Sequence, residues 1–275
     1  MKAKKRFLLT VLCLTIMLIV NPLHAQEETG LAKEETELAK KAQNPVSNLI
    51  SLPFQNNTNY GYGPNDNVQN IMNIQPVVPF KLNDCWNLIT RTIVPVIHQP
   101  WPDTRNGIGD IVFTAFLSPR AVTGKFLWGA GPVFQLPTGS PKYLLSQGQW
   151  GAGPSAVGLF MEGPWVVGAL ANNIWSFAGD SSRRPVNQML VQPFINYNFG
   201  SGWYAVSAPI ITANWNATRQ RDVWTLPVGG GFGKVFKIGK LPLNASIQAY
   251  TNTKKPHVVG PDWTLRTQIQ FLFPK

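Results

Sequence analysis

Hydrophobic and polar residues alternate along most of the chain after residue 45. At the C-terminal end, one face of the segment carries Trp263, Leu265, Thr267, Ile269, Phe271 and Phe273, and the other face carries Thr264, Arg266, Gln268 and Gln270. A period of two predicts β-strands with one apolar and one polar face. The segments that begin near residues 85, 187 and 241 repeat this alternation, which is much less regular in the first segment.

Twelve such segments follow one another, separated by clusters of Gly, Pro, Asn, Asp and Ser. We place them at 45–57, 67–81, 85–97, 108–118, 124–137, 149–161, 164–177, 187–199, 202–214, 222–236, 241–252 and 262–273. Tight turns alternate with longer loops between them. A tilted strand needs ~9 to 11 residues to cross a membrane, whereas soluble strands usually have ~5 or 6. The pattern therefore predicts an all-β transmembrane antiparallel barrel of about twelve strands.

Tryptophans fall near the ends of the predicted strands. Those near the turns are Trp86, Trp128, Trp165 and Trp203, and those near the loops are Trp150, Trp175, Trp215, Trp224 and Trp263. This placement predicts two interfacial aromatic girdles, whereas a soluble β-sandwich, the alternative, would bury such residues in mid-strand. Prolines conflict with regular strands, and we expect bulges, kinks or shorter strands at Pro76, Pro79, Pro95, Pro132, Pro154, Pro193, Pro209 and Pro227.

The N-terminal 44 residues have a different pattern. A basic start precedes an uncharged stretch over 7–20, and Ala25 follows. The stretch is shorter than the ~20 residues of a spanning helix, so we predict a cleaved secretory signal peptide over 1–25, with an uncleaved anchor as the alternative. Residues 26–44 place Leu31 and Leu38 on a narrow apolar face at helical spacing. They predict a short periplasmic helical tail that is loosely folded and solvated, with a plug or an anchor as the alternative.

Composition agrees with an exported membrane protein. Charged residues make up only 13% of the chain, about half the ~25% of a typical globular domain. Low charge disfavours a soluble helical enzyme, and a hydrophobic content of 44% disfavours disorder. Removal of the signal peptide leaves Cys85 as the single cysteine, which excludes an internal disulfide.

Few residues offer catalytic or metal-binding chemistry. His24 lies in the signal, and His98 and His257 lie at the ends of long loops. A lipid hydrolase at the rim, using His98 with a neighbouring serine, is a minor alternative, and we predict that the protein is not an enzyme. The chain has neither a Cys/His cluster nor carboxylates at calcium-loop spacing, so we predict no metal site and no cofactor.

The polar strand faces predict a wet lumen. Its candidate lining residues are Asn73, Gln75, Asn87, Arg91, Gln192, Asn196, Asn244, Gln248, Arg266, Gln268 and Gln270. Basic residues in the long loops would form an outer rim, at Arg105, Lys142, Arg183, Arg184, Arg219, Arg221, Lys254 and Lys255. We expect them to pair with phosphates of outer-membrane lipid and lipopolysaccharide, with attraction of a solute as the alternative. Binding of nucleic acid is not expected at the cell surface.

Five segments resemble a known family. They lie at 50–59, 87–96, 131–138, 168–177 and 270–275, and the resemblance covers about 45–275. The family is a group of bacterial outer-membrane transporters, also called the phenol-degradation meta-pathway family and sometimes mislabelled neuromedin U. The resemblance implies an outer-membrane channel or transporter with small aromatic or hydrophobic compounds as candidate substrates, and it brings no catalytic residues.

Three regions are therefore predicted: a signal peptide over 1–25, a periplasmic helical tail over 26–44 and a Gram-negative outer-membrane barrel over 45–275. The barrel-insertion machinery would be a partner, and the function would be passive passage of a small-molecule solute. Twelve strands are too few for a general porin, since wide aqueous channels have ~16 to 18. The alternative is a non-conducting structural or adhesive barrel. Interlocked Arg and Gln side chains would favour that alternative, and a continuous polar bore would favour transport.

Overall fold

The computed structural model describes residues 30–120 and 124–274, so the predicted signal peptide lies outside the described residues. Two α-helices are present there, α1 (Gly30–Gln43) and α2 (Lys142–Leu145), with a 3-10 turn at Gln220–Asp222. The strands are β1 (Ile50–Tyr62), β2 (Asn67–Ile74), β3 (Val77–Lys81), β4 (Trp86–Gln99), β5 (Arg105–Ile108), β6 (Ile111–Pro119), β7 (Phe126–Leu136), β8 (Gln149–Glu162), β9 (Trp165–Gly179), β10 (Asn187–Gly200), β11 (Trp203–Ser207), β12 (Ile211–Asn214), β13 (Trp224–Ile238), β14 (Leu241–Lys254) and β15 (Trp263–Phe273).

These strands form one closed antiparallel barrel. Each strand pairs with its neighbours in sequence order, and pairing of β1 with β15 closes the ring. Strands β2 and β3 are two halves of one crossing, as are β5 and β6, and β11 and β12, so the barrel has twelve crossings. The prediction of a twelve-stranded antiparallel barrel with a short N-terminal helix is confirmed.

Five of the eight strand prolines coincide with irregularities. Pro76 lies in the break between β2 and β3, and Pro209 lies in the break between β11 and β12. The register of β13 on β14 shifts at Pro227. These are the effects expected of a residue that has no N–H to donate to the ladder. Pro132 and Pro154 face each other across β7 and β8, and the pairing of β7 with β6 and of β8 with β9 is interrupted at these two residues. The remaining three lie within continuous strands.

The first strand begins later than the sequence predicts. It spans Ile50–Tyr62 rather than 45–57, and residues 44–49 link α1 to it. The asparagine-rich run at 56–59 is strand because its inward members have side-chain partners on the neighbouring strand β15. The Oδ1 of Asn57 accepts a hydrogen bond from Arg266, and the Oδ1 of Asn59 accepts one from Thr264. These tertiary hydrogen bonds override the low strand propensity of asparagine.

The outward face of the barrel is apolar and has an aromatic rim at each end. Phe232, Ile247 and Ile269 are each more than half exposed in mid-strand. At the loop rim Tyr60 stacks on Trp263, with ring centroids 4.1 Å apart, and all nine predicted girdle tryptophans project outward near strand ends. An apolar band between two aromatic rims is typical of a surface that faces lipid. No helix in the described part of the chain is long and apolar enough to cross a membrane.

Helix α1 packs across the turn end of the barrel. Leu38 and Ala39 are buried against a cluster of inward barrel side chains, formed by Tyr204, Val235 and Leu272 together with Leu49 of the linker. The expectation of a loosely folded, solvated tail is therefore wrong for residues 30–43. The apolar face of the helix packs on this cluster, and the removal of both apolar surfaces from water favours the docked helix.

Polar contacts and the linker complete this attachment. The side-chain amides of Gln43 and Asn198 exchange two hydrogen bonds of 3.0 and 3.2 Å, and Glu34 forms an ion pair with Lys237 at 2.7 Å. The linker then inserts Val46 among the apolar inward side chains of the barrel. We call α1 and residues 44–49 the plug, because together they fill the turn end of the lumen.

Candidate functional site

The lumen has two walls of different chemistry. Strands β14, β15, β1 and β2 present mainly polar side chains, most of them amides, which form the amide wall. Strands β7 to β9 present mainly apolar side chains and glycine, which form the apolar wall. The apolar cluster inside the barrel consists of Val46, Ile89, Phe116, Val157, Leu159, Val166, Leu170 and Phe194. The sequence predicted only the polar part of this interior, because β8 and β9 are apolar on both faces and their inward side cannot be recognised from alternation.

All eleven predicted lining residues lie on inward faces. Those on the amide wall are Asn73, Gln75, Asn244, Gln248, Arg266, Gln268 and Gln270. Those on β4 and β10 are Asn87, Arg91, Gln192 and Asn196. Most of them are buried, so they pack against other inward side chains in this conformation.

Arg266 is the centre of the amide wall and is only 5% exposed. Its Nε donates to Asn57 Oδ1 at 2.9 Å, and its Nη1 donates to the carbonyl of Ala208 at 2.8 Å. The guanidinium also lies over the ring of Tyr250, 4.8 Å from the centroid. Within the described residues no carboxylate pairs with it. Hydrogen bonds and a cation–π contact therefore hold this buried charge without a counter-ion.

A hydrogen-bonded chain continues from the amide wall towards the plug. The Tyr204 hydroxyl donates to Asn244 Oδ1 at 2.6 Å, and Asn244 Nδ2 donates to Gln270 Oε1 at 3.0 Å. Tyr204 in turn contacts the plug through its apolar cluster. The lumen residues and the plug thus form one packed interior.

A second network runs along the wall of the lumen near the loop end, across the neighbouring strands β1, β2 and β4, and the sequence did not predict it. Asn59 Nδ2 donates to Gln69 Oε1 at 2.9 Å, Gln69 Nε2 donates to Gln99 Oε1 at 2.6 Å, and Gln99 Nε2 donates to the Tyr62 hydroxyl at 2.8 Å. The sequence predicts a loop between the strands at 45–57 and 67–81, whereas Asn59 and Tyr62 are inward residues of β1. Alternation extended through the asparagine run would have identified them.

The lumen carries excess positive charge. The described strands contain seven basic residues and one acidic residue, Glu162, which pairs with Lys125 at the turn rim. Arg91 and Arg266 are inward and far from the strand ends, and Arg91 donates to Gln75 Oε1 rather than to a carboxylate. A narrow space with uncompensated cations attracts anions and repels cations.

The predicted outer rim of basic residues is at the loop end, and half of its members are held by the protein. Arg183 donates to the carbonyls of Lys142 and Tyr143, and Arg105 Nε donates to the Tyr143 hydroxyl at 2.9 Å. Arg184 donates to Thr218, and Lys255 pairs with Asp262. Within residues 30–120 and 124–274 the side chains of Lys142, Arg219, Arg221 and Lys254 make no hydrogen bond or ion pair, so they are available to an external anion.

Local hydrogen bonds also affect an acidic group beside these cations. The hydroxyl and the backbone N–H of Ser182 both donate to Asp180 Oδ1. Together with the nearby positive charges of Arg183 and Lys142, they hold the pKa of Asp180 below its usual value. Asp180 is therefore ionised at neutral pH and supports the loop that carries Arg183.

A cavity of about 430 Å³ opens at the loop end between residues 214–223 and 256–259. Its floor includes Gln188, Thr212 and Thr225, which are inward positions of their strands. Arg219 lines it as well. The cavity is therefore a shallow entrance that leads from the loops towards the lumen.

His98 does not have the environment of a catalytic base. It lies on the outward face of β4, and its Nδ1 is 2.7 Å from Asn106 Oδ1. No serine is its hydrogen-bonding partner in the described residues. The described part of the chain also contains no group of three or more His, Cys, Asp or Glu that could hold a metal ion.

Neither a protein-family model nor a curated protein sequence matches this chain. Solved structures do match. An outer-membrane channel from Pseudomonas putida F1 is 18% identical with a TM-score of 0.66, and the match covers 84% of this chain and 97% of the channel. The NanC porin is 9% identical with a TM-score of 0.52, and the match covers 82% of this chain and 100% of the porin. The chain thus has the barrel fold of outer-membrane channels and porins.

Proposed function

We propose that the protein is an outer-membrane channel for passive passage of small molecules, and that the plug closes it in the conformation described above. The plug is the observation that carries this proposal. It belongs to no strand ladder, so it can leave the lumen without breaking the hydrogen bonds that close the barrel. The similarity of fold to an outer-membrane channel supports the same function.

The two walls of the lumen favour solutes that have both an apolar and a polar part. The apolar wall contacts a hydrocarbon or aromatic ring, and the amides of the opposite wall hydrogen bond to a hydroxyl or carboxylate. Small aromatic or hydrophobic molecules fit this description, as the resemblance to the phenol-degradation meta-pathway family implies. Such solutes would enter through the cavity at the loop end.

Conductance of the refolded mature protein in a planar bilayer tests this function. We expect discrete current steps that phenol or benzoate reduces, because a solute held between the walls blocks ions. Protein that is folded, as judged by heat-dependent electrophoretic mobility, and yet electrically silent even when Leu38→Asp releases the plug would count against the channel.

The same bilayer gives a prediction on selectivity. In a gradient of potassium chloride, we expect a reversal potential that indicates preference for chloride, because Arg91 and Arg266 have no acidic partner in the described lumen. Replacing both by glutamine should abolish most of this preference, whereas Arg221→Gln at the exposed rim should leave it nearly unchanged. A wild-type preference for potassium would contradict the proposal.

A second candidate function is a non-conducting structural barrel. The buried, interlocked lumen favours it, since Asn244 is 3% exposed and Gln270 is 6% exposed. The channel and the structural barrel differ in one property, namely whether release of the plug produces conductance.

The proposed location is the outer membrane of a Gram-negative bacterium. The protein would be exported by a cleaved signal peptide and inserted by the barrel-insertion machinery, with the plug on the periplasmic side. The basic side chains of Arg219, Arg221 and Lys254, which have no partner among the described residues, would then face the phosphates of lipid and lipopolysaccharide. Charge-assisted hydrogen bonds to phosphate would hold the loop rim at the membrane surface.

A further inference from the structure

A small polar cluster interrupts the outward apolar face of the barrel. The side-chain amides of Asn56 in β1 and Asn70 in β2 both donate to the hydroxyl of Thr58, at 3.1 and 3.2 Å. We call these three residues the outer amide cluster. It also explains why the alternation of the first strand is hard to recognise in the sequence, since both faces of β1 carry asparagine.

The strand register places this cluster on the outside of the barrel. Asn56 pairs with Thr267, which pairs with the half-exposed Ile247 of β14. On the same face, Phe54 contacts Phe271 on the turn side of the cluster, and Tyr60 stacks on Trp263 on its loop side. The cluster is therefore enclosed between two aromatic pairs on the surface that faces lipid.

The cluster also lies at the depth of the hydrocarbon. The outward residues of β1 run from Ile50 to Tyr60, a length that spans roughly 25 Å along the membrane normal for a strand rising ~3.3 Å per residue at a tilt of ~40°. Asn56 is four residues below Tyr60, which places it roughly 10 Å below the aromatic rim. Acyl chains at that depth can neither donate nor accept a hydrogen bond.

Within the described residues, neither Asn56 Oδ1 nor Asn70 Oδ1 accepts a hydrogen bond. An amide group without its partners in hydrocarbon is costly. Another outward asparagine shows how the fold satisfies such a group. Asn173 of β9 accepts a hydrogen bond from Trp215 Nε1 and donates one to Asn187, each at 3.0 Å. The amide oxygens of the outer amide cluster thus lack a hydrogen-bond donor, whereas the side-chain amide of Asn173 both donates and accepts a hydrogen bond.

We propose that a second copy of this chain packs against this face, in a two-fold dimer whose outer amide clusters hydrogen bond to each other. An identical cluster supplies what each copy needs at this depth, since each amide brings a free N–H donor as well as an acceptor. A two-fold axis makes the contact self-complementary and closes the assembly at two subunits. This inference is independent of whether the barrel conducts.

The mass of the mature protein in lipid nanodiscs tests the dimer. We expect wild-type protein to give a particle that contains two chains, and the double variant Asn56→Leu with Asn70→Leu to give one chain. The matched control is Asn173→Leu, which also removes an outward asparagine and should remain dimeric. A monomeric wild-type protein, or a double variant that is still dimeric, would overturn the proposal.

Disulfide crosslinking gives an answer even if the leucine variants do not fold. Cys85 is exposed at a turn and is first replaced by serine. In that background, Met72→Cys, an outward position beside Asn56 that leaves the outer amide cluster intact, should crosslink to a dimer in lipid vesicles on mild oxidation. Ala171→Cys, which is also outward but on the opposite side of the barrel, should remain monomeric. Equal crosslinking at both positions would indicate random collision and would also overturn the dimer.

Discussion

Replacing Leu38 by aspartate should raise the ion conductance of the mature protein by about an order of magnitude or more. Leu38 is 7% exposed in the cluster that attaches the plug. Burying a carboxylate among apolar side chains costs several kcal/mol, and ~1.4 kcal/mol already shifts an equilibrium tenfold. The equilibrium between the plug bound in the lumen and the released plug therefore shifts towards the released state. The measurement is the open probability of single channels in a planar bilayer.

The control for this experiment lies on the same helix. Leu31 is 68% exposed, so Leu31→Asp makes the same chemical change without disturbing the attached face and should leave conductance near that of wild type. If Leu38→Asp folds and remains silent, the plug is not a gate, and the structural barrel becomes the better explanation. If both variants conduct equally, the effect comes from the added charge on the helix rather than from loss of the apolar packing around Leu38.

Much of the barrel could be predicted from local sequence, because outward apolar and inward polar residues alternate along a membrane-spanning strand. In β15, Ile269 is exposed and Gln270 is buried, as the alternation requires. The closed ring then follows from strand number, strand length and turn length. Proline alone does not explain the breaks between β2 and β3 and between β11 and β12, since Pro95 and Pro193 lie within strands that remain continuous.

The continuation of β1 through the asparagine run to Tyr62 could not be predicted, because its evidence is tertiary. Asn57 becomes a strand residue through Arg266, which is 209 positions away in the sequence. A run of asparagine with no such partner is typical of a loop. The same limit applies to α1, whose helical spacing is visible but whose docking depends on side chains of β11, β13 and β15.

In the candidate site, too, the features that are local in sequence could be predicted and those that depend on tertiary contacts could not. Alternation identified which lumen residues are inward, since this property is local to each strand. It could not identify the hydrogen-bonding pairs, such as Tyr204 with Asn244, because these depend on the barrel register. It also missed the apolar wall, where inward residues such as Leu170 have the same character as their outward neighbours.

A repeated motif in this apolar wall shows how closely its strands approach. The five residues at 128–132 recur at 150–154, each time as Trp-Gly-Ala-Gly-Pro. The first glycine makes room for an inward apolar side chain: a Cβ on Gly129 would meet Val46 of the plug, and a Cβ on Gly151 would meet Ile174. The second glycine lies against the backbone of a neighbouring strand, β6 for Gly131 and β9 for Gly153. The motif therefore uses glycine for two separate close approaches.

Replacing the second glycine should prevent the barrel from forming. A Cβ on Gly153 would lie 1.7 Å from the carbonyl oxygen of Asn173, a backbone atom that can move away only if β9 shifts relative to β8. We expect Gly153→Ala to lose most of its refolding yield, measured by heat-dependent electrophoretic mobility. Gly158→Ala in the same strand is the control, because its nearest neighbour is the ring tip of Phe126 at 3.2 Å, which can rotate aside. Normal refolding of Gly153→Ala would mean that β8 and β9 are farther apart there than described.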